Sequence, residues 1–141
     1  MEKEFIPYEQ ALSLKELGFD EPCFGYYQQE WHDDGMTELE PSLQMIISKQ
    51  HQHAYQLYTA PLYQQAFRWF RKKHGLFIRP DFDVNYIDEL DEFETTYFFS
   101  ILEMEESLVG FKPLGRLSSE KTYEEAELAC INKLIEIVKN K

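Results

Sequence analysis

Two cysteines, Cys23 and Cys130, are all the thiol the sequence holds, and they stand far apart in unlike surroundings. The N-terminal Met1-Glu2-Lys3-Glu4 has neither the basic start nor the apolar stretch of a secretory signal. A disulfide scaffold is therefore not expected, and reduced thiols in a cytoplasmic protein are. No apolar run approaches the ~20 residues needed to cross a bilayer. Glycine and proline number six each, too few for a collagen-like or low-complexity chain. The most informative absence is local: residues 41–80 contain no aspartate or glutamate at all.

What the chain does have is ordinary globular composition over 141 residues, 43% hydrophobic and 28% charged, with an aromatic share of 16%. That length predicts a single domain, residues 1–141, burying roughly 69% of its unfolded surface. The net charge of −12 argues against general nucleic-acid binding and against anionic membranes. The charge is segregated. Residues 1–40 hold 11 acids against 2 bases, and residues 81–117 hold 10 against 2. The acid-free segment between them carries Lys49, Arg68, Arg71, Lys72, Lys73 and Arg79, together with His51, His53 and His74. Three arrangements fit this pattern. The basic segment folds back on the acidic flanks, it marks a site for a small anion or nucleotide, or it pairs with an acidic patch on another chain.

A tetrapeptide, Tyr-[Glu/Gln]-[Gln/Glu]-Ala, recurs at Tyr8–Ala11, Tyr63–Ala66 and Tyr123–Ala126. Tyrosine and alanine three apart share a helix face, and polar residues between them suit a first turn. The copies read as convergent helix starts. The first helix is predicted over about Pro7–Leu17, with Pro7 at its first position, Gly18 in the left-handed stop and Phe19 closing back on Leu14. The second spans about Pro61–His74, its apolar face Leu62, Tyr63, Ala66, Phe67 and Phe70, its last turn basic, Gly75 its stop. The third spans about Tyr123–Val138. It opens with a Thr122/Glu125 capping box and carries Tyr123, Ala126, Cys130, Leu134 and Ile137 on one face, so that Cys130 reads as core.

Strand signals fall between. They are Cys23–Gln28, Leu43–Ser48, Ala54–Tyr58 (continuing or following the last), Phe82–Ile87 and Thr95–Glu103. Asp33-Asp34-Gly35 reads as a turn, Asp88–Glu94 as a loop, and residues 105–121, with Gly110, Pro113, Gly115 and a serine pair, as an exposed loop. The expected fold is α+β, a mainly antiparallel sheet of four or five strands with three helices packed on it.

Chemistry-bearing constellations are sparse. His51-Gln52-His53 puts two imidazoles on one face if extended, a spacing that holds zinc, but no third ligand lies nearby. His32-Asp33-Asp34 reads as a metal or base cluster, or as ordinary turn chemistry before Gly35. Phe67-Arg68-Trp69-Phe70-Arg71 interleaves aromatics with guanidiniums, as in sites that stack a base and clamp a phosphate. The simpler reading puts Phe67 and Phe70 in the core, with Trp69 at its edge under an arginine. No phosphate loop, nucleophile elbow, Cys-x-x-Cys pair or His-Glu-x-x-His motif is present, so no enzyme activity and no cofactor are expected.

Four blocks carry a resemblance: Phe5–Ala11, Leu17–Tyr26, Ala60–Arg71 and Thr122–Cys130. They are similar to blocks of small proteins common in Bacteroidota phages and prophages, a group to which no activity is assigned. The similarity covers about half the chain and implies expression in the cytoplasm of a host cell. The expected function is that of a non-enzymatic accessory protein binding a partner or a small anionic ligand, with Arg68, Trp69, Arg71, Lys72 and Arg79 as candidate ligand-binding residues. The alternative is a self-associating structural protein, a homo-oligomer whose acidic and basic segments meet across chains. A weaker one is a metal-dependent enzyme using His51 and His53.

Overall fold

The computed structural model describes residues 2–30, 39–46, 55–105 and 110–141. It is α+β, with three α-helices and two three-stranded antiparallel sheets. The chain divides into two compact units, Met1–Ala66 with Val138–Lys141, and Phe67–Ile137.

In the first unit a short 3-10 turn, Glu2–Glu4, precedes helix α1, Tyr8–Glu16. Pro7 sits one position before the helix, as its N-cap, rather than at its first residue. The C-terminus closes as a Schellman motif: Phe19 N–H donates to Leu14 O at 2.9 Å, Gly18 N–H to Lys15 O at 3.0 Å, and Gly18 has φ +92°. The sheet runs β2–β1–β3, from β1 Cys23–Glu30, β2 Leu39–Ile46 and β3 Tyr55–Ala60. Phe5, Ile6, Ala11, Leu14, Phe19, Cys23, Tyr27, Ala60, Tyr63 and Ala66 form its buried core. Two long-range ties hold the N-terminus in place. Ile6 N–H donates to Pro61 O at 2.9 Å, and the Tyr27 hydroxyl donates to Ile6 O at 2.9 Å. Gln65 Nε2 donates to Pro22 O at 2.8 Å, fixing the entry to β1.

Helix α2, Tyr63–His74, begins in the first unit and ends in the second. The second unit holds β4 Leu76–Ile87, β5 Glu92–Glu105, β6 Gly110–Arg116 in the order β4–β5–β6, and helix α3 Tyr123–Lys139, whose last two residues fall in the first unit. All three copies of the tetrapeptide put their tyrosine at the first residue of a helix. Thr122 and Glu125 close the expected capping box, each backbone N–H bonded at 3.2 Å to the other's side chain.

Two expectations are corrected. Among the described residues the strands number six in two sheets, not four or five in one. The segment 105–121 is not all loop, because Gly110–Arg116 forms β6 on the sheet edge, where Pro113 is tolerated and Gly115, at φ +126°, lies next to a register irregularity. The turn assigned to Asp33–Gly35 lies outside the described residues.

Candidate functional site

β4 and β5 form a long hairpin in register from Leu76↔Glu103 to Ile87↔Glu92. Paired residues of an antiparallel ladder project to the same side, so the hairpin has two separable faces. One carries Leu76, Ile78, Pro80, Phe82, Val84 and Tyr86 opposite Glu103, Ile101, Phe99, Tyr97, Thr95 and Phe93. Near the root this face is closed by helices. Phe67 of α2 meets Phe99 with ring centroids 5.9 Å apart, and Tyr123 of α3 meets Phe99 at 5.6 Å and Tyr97 at 5.9 Å. Leu76, Phe99 and Ile101 are buried there.

Beyond that point the same face is open. Phe82 is 60% exposed, Val84 53%, Tyr86 49% and Phe93 73%, with Leu90 at the tip 64% exposed. Together they present on the order of 500 Å² of accessible surface, taking about 200 Å² for a whole aromatic residue. That matches the largest apolar patch of a typical monomer, about 300–600 Å², and such patches are often functional. β6 pairs with β5 residues 100–105, and Leu117 and Glu120 continue that edge to Phe99 and Tyr97, so beyond Tyr97 the hairpin is a two-stranded arm. Two strands alone are marginal in water. The arm has internal braces: Tyr86 and Phe93, opposite one another in register, stack at 5.1 Å. The Tyr86 hydroxyl donates to Asp91 Oδ1, which pushes its pKa above the ordinary tyrosine value. Leu90 N–H donates to Ile87 O at 3.1 Å, and Asp91 then takes φ +53° to turn the chain into β5.

The opposite face carries Phe77, Leu102 and the buried Phe98 toward the root and is mostly polar and acidic beyond them. It holds Arg79, Asp81, Asp83, Asn85, Glu92, Glu94 and Thr96. Arg116 of β6 reaches across it to Asp83 and lies over the Phe98 ring, 3.5 Å from its centroid. On the outer edge of β4, Phe82 N–H is taken by Asp81 Oδ1 at 2.9 Å, and Pro80, two residues before it on the same edge, has no N–H.

The predicted ligand residues are only partly gathered. Arg68, Arg71 and Lys72 follow i, i+3, i+4 on α2 and are exposed along one stripe. Trp69 is 4% exposed and packs edge-on against Phe70 at 5.0 Å and His74 at 4.8 Å, so its ring lies in the core. Arg79 projects from the sheet face opposite the one α2 covers. Among the described residues no carboxylate forms an ion pair with Arg71, Lys72, Lys73 or Arg79.

Other reactive groups are buried. Burial is the main cause that pushes the Cys23 and Cys130 thiols up to about 12, aided by Glu21 at Cys23 and Glu127 at Cys130. No cluster of three metal-ligating side chains occurs among the described residues. His32, His51 and His53 lie outside them. No described helix is long and apolar enough to cross a membrane. Sequence reasoning missed the open arm. Its signal was present in the alternation Phe82, Val84, Tyr86, but that alternation does not say which face is covered. No family model, no curated protein and no solved structure matches the chain.

Proposed function

We propose that the chain is a non-enzymatic accessory protein of phage or prophage origin, acting in the host cytoplasm by binding another protein through the distal β4–β5 arm. The phage context rests on the four sequence blocks. The binding role is supported by one observation above all, the exposed side chains Phe82, Val84, Tyr86 and Phe93 on one face of the arm. Covering about 500 Å² of this surface, part of it backbone and the Tyr86 hydroxyl, releases at most about 12 kcal/mol at about 25 cal/mol per Å² of apolar area. Association itself costs about 4–15 kcal/mol, so the arm suits a reversible complex rather than a permanent one. The small-anion alternative keeps the Arg71–Lys73 cluster in its support, but Trp69, the ring expected to stack a base, is buried.

The test is selection from a library of displayed random peptides on the wild-type chain and on the double variant Phe82→Ser/Phe93→Ser. Both residues are more than half exposed, so the double variant is expected to keep the wild-type fold, checked by its circular dichroism and unfolding midpoint; because Phe93 also braces the arm through Tyr86, hydrogen exchange over residues 82–95 checks that the arm itself persists. Peptides enriched on the wild type are expected to lose the variant. Equal enrichment on both, or none on either, overturns the reading.

A further inference from the structure

We infer that the occupant of the arm is a cationic amphipathic helix presented by the partner protein. This rests on the binding role proposed above and adds the chemistry of the partner.

The helical form follows from how the same face is covered elsewhere. At the root of the hairpin the second layer consists of α2 and α3, and it stops where Tyr123 meets Tyr97. The open rows continue that face outward, so a further helix extends an existing two-layer packing. Addition of a strand to the outer edge of β4 is disfavoured, because Pro80 and Phe82 offer that edge no donor. Residues two apart on a strand are about 6.7 Å apart, so Phe82 to Tyr86 spans roughly 13 Å. A helix rising 1.5 Å per residue covers that in about nine residues, with apolar side chains at i, i+3 or i+4, and i+7.

The positive charge follows from the acids of the arm, three at its tip and four on its reverse side. Residues 81–94 contain Asp81, Asp83, Asp88, Glu89, Asp91, Glu92 and Glu94 and no lysine, arginine or histidine. Among the described residues Asp83 has a cation, Arg116, and Asp88, Glu89, Glu92 and Glu94 have none. A partner seated on the open face meets Asp88, Glu89 and Asp91 at the tip and feels the field of Asp81, Asp83, Glu92 and Glu94 from the reverse side of the two strands, so an acidic partner, an anionic lipid surface or the arm of a second copy is repelled. The exposed stripe of α2 in a second copy, Gln64, Arg68, Arg71 and Lys72, matches the charge but has no apolar side chain with which to cover the rows. A helix with apolar residues on one side and lysine or arginine flanking them satisfies both demands. Its cations also find ring faces at Phe82, Tyr86 and Phe93, a contact the chain already makes internally with Lys15 over Tyr58 at 4.5 Å.

The experiment uses three alanine-rich synthetic peptides of equal length with fluorescence anisotropy on the full chain. One has leucines at helical spacing flanked by lysine and arginine, the second has the same leucines flanked by glutamate, and the third scrambles the first. The cationic amphipathic peptide is expected to bind, to weaken at least tenfold between 0.05 and 0.5 M salt, and to weaken at least tenfold again on Phe93→Ser. The other two are expected to bind at least tenfold more weakly. Equal binding of the glutamate peptide overturns the charge assignment. Equal binding of the scrambled peptide, or indifference to Phe93→Ser, reduces the effect to general attraction by an acidic chain and overturns the helix. If arm-dependent library peptides are neither basic nor helically periodic, this inference fails while the binding role stands. If no arm-dependent peptide is found, both fall.

Discussion

Replacement of Gly25 by alanine should destabilise the chain although it adds one methyl group. Gly25 lies buried in β1 opposite Ala60 of β3 and Pro41 of β2. A Cβ there would stand 2.6 Å from Phe5 Cε1, 2.8 Å from Phe5 Cδ1 and 3.3 Å from Ala60 Cβ. Carbon atoms pack at about 3.5–4.0 Å, so the ring would have to retreat by roughly 1 Å. It has little room to do so. Phe5 is buried, its backbone bridges to Leu62, and the next residue is tied to Pro61 and Tyr27. Overpacking of this kind costs about 1–3 kcal/mol. Stiffening of the unfolded chain returns about 0.4–1 kcal/mol. The expected net loss is about 1–2 kcal/mol, read as a lower urea midpoint at unchanged slope. Phe5→Leu, made alone and together with Gly25→Ala, completes a double-mutant cycle, and a coupling of about 1 kcal/mol or more should assign the cost to the ring. An unchanged or raised midpoint for Gly25→Ala, or zero coupling, would refute the reasoning.

Three further outcomes are expected. Thr122→Ala removes the Oγ1 acceptor from Glu125 N–H and should cost about 1 kcal/mol, with faster hydrogen exchange confined to the first turn of α3. Tyr27→Phe leaves the buried Ile6 carbonyl without its 2.9 Å donor and should lower stability by about 1–1.5 kcal/mol in chemical denaturation. Both thiols should resist a thiol reagent at pH 8 in the native chain and react once urea unfolds it, because burial holds them protonated. Their folded pKa lies above the unfolded value of 9.0, so the folded state keeps protons that the unfolded state loses. Stability should therefore decline as pH rises from about 9 toward 12, and an unfolding midpoint that rises over that interval would contradict the assignment.

Local signals were legible in the sequence where one or two residues decide the outcome. The stop at Gly18 needs a left-handed residue, and the start at Thr122 needs a hydroxyl three residues before a carboxylate; both are short-range and both are present in the structure. Signals that depend on neighbours were not legible. Arg79-Pro80 hid the first half of β4, because proline is permitted in a strand only at a sheet edge, and only the fold reveals the edge. Gly110, Pro113 and Gly115 read as loop for the same reason. Arg68 and Arg71 are exposed at helical spacing on α2, whereas Trp69, expected at the edge of the core, is buried in it. The alternation from Phe82 to Tyr86 marks a strand with an apolar side, yet the usual inference that such a side is covered fails here, where Phe82, Val84 and Tyr86 are exposed.

The proline and the self-capped amide on the rim of β4 also bear on how this chain behaves at high concentration. A twelve-residue border strand beside bare aromatic rings is the pattern from which fibrils grow by stacking one ribbon on the next. Here the lengthwise docking of a second ribbon would meet a stretch with nothing to donate, between carboxylates that repel their own kind. The molecule can thus keep a sticky palm open without polymerising, and substituting Pro80 by a residue with an N–H is where gelation would first be sought.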